Sequence, residues 1–188
     1  AKSRLLQRLA EREADQLASC TPLTELSDQE ARTLSALQQD RHCRVRDGGV
    51  TMSHDLLGDW ARQRLLLSHS SNLTEYLADR ATSPRWIKAL RLYGVYLLEQ
   101  HTDVAPWQDA LGRLRSSSAT PGFAADVFLE SVFWASNPEP LLERRRPLLG
   151  DIWCVLLSRC LGRFLHTATL PNPVMLAMAD RIESGSGV

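Results

Sequence analysis

The sequence predicts a mainly α protein: a winged-helix-like N-terminal part with a short β-hairpin wing, followed by an α-helical array. Three observations predict it. Two segments before residue 40 carry apolar residues at helical spacing. A Gly-rich turn at Asp47-Gly48-Gly49 then separates two short strand-like runs. Beyond residue 69, apolar helical segments alternate with Ser, Asn and Pro breaks.

The first helix is predicted over residues 1–18, with Leu5, Leu6, Leu9, Leu17 and the small Ala10 and Ala14 on its apolar face. It starts abruptly, so the chain is expected to be a segment of a longer protein. Cys20-Thr21-Pro22 breaks this helix. Ser27-Asp28-Gln29-Glu30 is a capping box that opens a second helix to about Gln39, with Ala31, Leu34 and Leu37 inward. Residues 42–46 and 50–52 flank the turn as a hairpin.

The stretch from Val50 to Leu67 organises the rest. It leaves the hairpin as a strand and becomes a helix with no intervening loop. Leu56, Leu57, Trp60, Ala61 and Leu65 fall on one side, and Asp55, Asp59, Arg62 and Gln63 on the other. Ser53 is the expected N-cap, placing His54 and Asp55 in a first turn whose unpaired N–H groups can receive a phosphate.

Ser68-His69-Ser70-Ser71-Asn72 reads as a joint, giving a winged-helix-like domain over 1–68 and a helical domain, solenoid-like or bundle, over 69–188. Helices are expected near 74–80, 85–100, 106–115, 122–135, 147–166 and 173–183. The helix after Pro84 is apolar around most of its circumference, which calls for neighbours on both sides. The Ser184-Gly185-Ser186-Gly187-Val188 tail has the composition of a flexible linker.

Composition narrows the function. The 188 residues are 44% apolar, with 22 basic residues against 22 acidic ones, so no net charge draws the chain to nucleic acid or to anionic membrane. No apolar run approaches the roughly 20 residues that cross a bilayer, and no signal-peptide pattern opens the chain. Cys20, Cys43, Cys154 and Cys160 lack metal-ligand spacing. Reduced thiols and a cytoplasmic location are therefore expected.

Met52-Ser53-His54-Asp55-Leu56-Leu57-Gly58-Asp59-Trp60-Ala61 resembles the end of the winged-helix domain of STAND-type signalling NTPases. These include plant disease-resistance proteins, animal apoptosome scaffolds and bacterial regulators and antiphage proteins of the NACHT and NB-ARC-like kinds. The plant members carry Met-His-Asp followed by two leucines; a Phe-Ser-His-Asp form is common in bacteria, and the order here is similar to it. Ser53 between Met52 and His54 departs from the plant spelling. The motif covers about 18 residues, and the wing and preceding helices extend the resemblance to residues 1–67.

The resemblance implies a nucleotide-binding role for His54, which would reach the phosphates of ADP held by an upstream nucleotide-binding domain. ADP-to-ATP exchange would then release the winged helix and permit self-oligomerisation or engagement of a protein partner. Asp55 would hold the turn. No G-x-x-x-x-G-K-[ST] loop occurs in this chain, so it carries no cofactor of its own, and ADP or ATP belongs to the longer parent.

Two alternatives stand beside this reading: a protein-interaction scaffold without a nucleotide role, and a winged-helix DNA-binding regulator. Against the latter, the second helix carries Asp28, Glu30 and Asp40 and only one Arg, Arg32. Arg41, Arg44 and Arg46 on the wing and Arg144-Arg145-Arg146 further on read as solvated charges. The aromatics Trp86, Trp107, Phe128, Phe133, Trp134, Trp153 and Phe164 are read as helix-interface residues. His69, His101 and His166 have no ligand spacing, and no nucleophile elbow occurs. No catalytic or metal site is expected.

Overall fold

The computed structural model describes residues 1–137, 158–159 and 161–163. The helices predicted over 147–166 and 173–183 lie largely or wholly outside these residues, as do Arg144 to Arg146, Trp153, Cys154, Cys160, Phe164 and His166. By its contacts the chain forms two units: Ala1–Tyr93 with Ser118–Pro121, and Gly94–Ser117 with the residues from Gly122 on. The Ser68–Asn72 joint lies inside the first unit, where Ser70–Asn72 forms one 3-10 turn.

In the first unit, α1 (Lys2–Asp15) is followed by β1 (Thr21–Pro22), a 3-10 turn at Leu23–Glu25, and α2 (Asp28–Gln39). Then come β2 (Cys43–Arg46), β3 (Gly49–Met52), α3 (Asp55–Ser68) and α4 (Leu73–Leu77). The antiparallel sheet has the order β1-β3-β2. The mainly α architecture with a small hairpin-bearing sheet is as the sequence predicts.

The hairpin closes on Asp47 and Gly48, whose φ values of 50° and 74° are both left-handed, as a two-residue loop matched to strand twist requires. Its register pairs Arg46 with Gly49 and Cys43 with Met52. Gly49 sits in a close approach: a Cβ there would lie 2.8 Å from Cys20 Sγ, so that side chain would have to shift. Strand β1 is not evident in the sequence: two residues show no periodicity, and Pro22 reads as a helix breaker. It nonetheless pairs Thr21 with Val50 and Pro22 with Gly49.

The capping box forms as predicted. The Glu30 backbone N–H donates to Ser27 Oγ, and the Ser27 backbone N–H donates to Glu30 Oε2 at 3.0 Å. Leu34 and Leu37 are buried, whereas Ala31 is exposed. With Leu5, Leu6, Leu9, Ala10, Cys43, Val50 and Ala61 they form one core cluster of the first unit.

Helix α1 ends three residues before the predicted end. Leu17, expected on its apolar face, has φ 51° and is exposed. No glycine caps this end. Its carbonyls are taken by side chains instead: Ser83 Oγ donates to Ala14 O at 3.0 Å, and Arg85 Nη1 donates to Glu13 O at 2.5 Å and, beyond the helix, to Ala18 O at 2.7 Å. Tyr76 and Arg80 bond Glu11, Arg80 also bonds Asp15, and Trp86 Nε1 donates to Asp15 at 2.7 Å.

Helix α5 (Pro84–Gln100) begins in the first unit, where Trp86, Leu90 and Tyr93 are buried. Its second half belongs to the second unit, together with α6 (Ala105–Ser116), α7 (Phe123–Leu129) and α8 (Ser131–Trp134). The helix predicted over 122–135 is divided at the fully buried Glu130, whose carboxylate pairs with Arg163. Trp107 stacks on Phe128 and donates through Nε1 to Ser131 Oγ at 3.1 Å. Trp86, Trp107 and Phe128 are core residues as expected; Trp134 is 56% exposed.

Candidate functional site at the start of helix α3

The predicted N-cap shifts by one residue. Ser53 stays with the sheet: its N–H donates to His42 O at 2.8 Å and its Oγ is buried. His54, extended at φ −143° and ψ 138°, is the N-cap, and its carbonyl accepts from Leu57 N at 3.0 Å. A serine hydroxyl turned inward cannot reach the first-turn amides, so no side chain caps this helix. His54 and Asp55 are solvent-exposed. An exposed imidazole therefore stands beside uncapped N–H groups at the positive end of a 14-residue helix.

The faces of α3 depart in part from those its sequence predicts: Ala61 and Leu65 are buried and Asp55 exposed as expected, but four positions are exchanged. Leu56 is 76% exposed and Trp60 40%, while Asp59 and Arg62 are buried with Gly58, Ala61, Leu65 and Leu66. Helix α3 packs chiefly on α1, with Gly58 and Ala61 among its buried residues. A Cβ at Gly58 would lie 2.9 Å from Arg62 Nη2, so the glycine leaves room for the guanidinium.

The buried charges compensate one another. Arg62 Nη2 donates to Asp59 Oδ1 at 2.8 Å, Arg62 Nη1 donates to Ala10 O at 3.4 Å, and Lys88 Nζ lies 2.5 Å from Asp59 Oδ2. Glu13 of α1 joins this layer, with Arg85 Nη1 4.0 Å from its Oε2. Burial raises the Glu13 carboxyl to about 7, against the lowering pull of Arg85 and Arg62 and with a further rise from Asp55. Cys43 is pushed up to about 11, first by burial and then by the charge of Glu13. Sequence reading missed this layer; the available signal was an i,i+3 Asp–Arg pair directly after a glycine.

Outside the buried face, Arg64 lies 5.9 Å from the Trp60 ring centroid. His69 stacks on Tyr76 and contacts Asn72 through Nδ1 at 3.3 Å. Among the described residues no group of His, Cys, Asp or Glu is arranged to hold a metal, and no helix is long and apolar enough to cross a membrane.

Comparison with protein-family models, with curated proteins and with solved structures returned no match.

Proposed function

We propose that this chain is a regulatory segment of a bacterial STAND-type signalling NTPase acting in the cytoplasm. In this reading His54 contacts nucleotide held by an upstream P-loop domain, and the helical part relays the sensing of a partner or ligand. The single observation that carries it is the exposed imidazole of His54, which follows the wing strand directly and stands at an uncapped helix start. Such a start supplies N–H donors and a favourable dipole, and the imidazole adds one more donor for an anionic group.

The test begins with the coding sequence upstream of Ala1, which must encode a P-loop domain. In that longer protein, His54→Ala should speed ADP release roughly tenfold or more, because a hydrogen bond to a charged group is worth about 1.5–3 kcal/mol. Unchanged ADP exchange, measured with a fluorescent analogue, overturns the reading. A protein-interaction scaffold is the second reading, favoured by the exposure of Leu56 and Trp60 on one helix. It predicts partner loss in Leu56→Ser with ADP exchange unaltered in His54→Ala.

A further inference from the structure

We propose that Glu13 is a proton-operated element that sets how firmly α3 is seated on α1, and through that seat the presentation of His54. The part that concerns His54 rests on the function proposed above; the coupling of α1 to α3 stands without it.

The geometry is a competition for two guanidiniums, those of Arg85 and Arg62. Glu13 is only 8% exposed, yet among the described residues its carboxylate has one ion-pair contact, Arg85 Nη1 at the long distance of 4.0 Å. That same Nη1 is already bonded to the carbonyls of Glu13 and Ala18. Arg62, the other cation that acts on Glu13, is committed to Asp59 and to Ala10 O. The charged and titratable groups that act on Glu13 are Asp55 and Arg62 from α3 and Arg85 from α5, and Glu13 in turn acts on the Cys43 thiol of β2; Arg62 is shared with Asp59, which Lys88 also pairs. Two cations thus serve main-chain carbonyls and a second carboxylate. This arrangement suits a neutral Glu13, because an ionised one would be buried and underpaired.

Loss of the proton to solvent changes two things. A second carboxylate then pulls on Arg62 against Asp59, and negative charge opposes Asp55 in the first turn of α3. Both effects loosen the first half of that helix. With the carboxyl raised to about 7, the exchange falls near neutral pH. The sign follows from linkage: between the ordinary carboxylate value and about 7 the folded chain binds more protons than the unfolded one, so stability falls as pH rises through that window.

The experiment uses the chain as it stands, without nucleotide, so its outcome is independent of the NTPase reading. The Glu13 side-chain carboxyl is titrated by carbon-detected NMR, and amide exchange of residues 59–62, whose N–H groups bond the first-turn carbonyls of α3, is measured at about pH 6 and about pH 8, corrected for intrinsic rates. Protection in α3 should fall by about tenfold at the higher pH, and Glu13→Gln, a permanently neutral mimic, should remove the dependence. Titration of Glu13 in the ordinary carboxylate range overturns the proposal, as does a pH dependence that survives in Glu13→Gln. If the variant does not fold, the wild-type titration decides alone.

Discussion

Arg62 donates to Asp59 one turn earlier on the same helix, with both side chains only 5% exposed. The pair sits on the face of α3 that its sequence marks as solvent-facing. Arg62→Ala would leave Asp59 with Lys88 alone and open a void against Ala10. We expect a loss of about 3 kcal/mol, the usual range for uncoupling a buried ion pair. A double-mutant cycle with Asp59→Asn, read by urea denaturation, should return a coupling of about 1 kcal/mol or more; additive effects would contradict the pairing.

Leu56 and Trp60 point outward. Leu56→Ser should therefore change stability by no more than about 0.5 kcal/mol, whereas Leu66→Ala, fully buried on the same helix, should cost about 3 kcal/mol. A large loss in Leu56→Ser would restore the face predicted from periodicity.

Gly94 marks a close approach inside the second unit. A Cβ there would lie 2.6 Å from Ser131 Cβ and Oγ and 3.2 Å from Phe128 Cε2. Alanine gains about 1 kcal/mol in helix propensity but loses about 1–3 kcal/mol to overpacking. We expect net destabilisation of Gly94→Ala, read by urea denaturation. A more stable Gly94→Ala would show that the contact yields.

Glu30 supplies the acid response of the wing side. Hydrogen bonding from Arg8, and then from the Ser27 backbone, lowers its carboxyl to about 2. A depressed carboxyl contributes stability above its unfolded value, and that contribution is lost as pH falls towards about 2. Thermal melts between about pH 5 and pH 2 should show the loss, and Glu30→Gln should flatten it. Ser27→Ala should cost about 1 kcal/mol at neutral pH through the same cap.

Local chemistry was legible wherever it acts over a few residues. The capping box at Ser27, the tight turn within Asp47-Gly48-Gly49 and the Pro84 start of α5 all depend on near neighbours. Their places in the structure follow from backbone geometry that any such sequence would share. His54 was found the same way, from its position after a strand, although the cap fell one residue later than the hydroxyl at Ser53 indicated.

Tertiary structure decided which groups those elements turn inward. Strand β1 exists because β3 offers an edge to Thr21 and Pro22, and no periodicity in two residues could announce that. Helix α3 buries Asp59 and Arg62 because Gly58 leaves room for the Arg62 guanidinium, and because Lys88 and Ala10 O complete the charges from segments distant in sequence. A helical wheel weighs each residue alone against water. Burial of a charge depends on partners that only folding brings within about 3 Å, so the inward face of α3 was settled by the fold and not by the order of its residues.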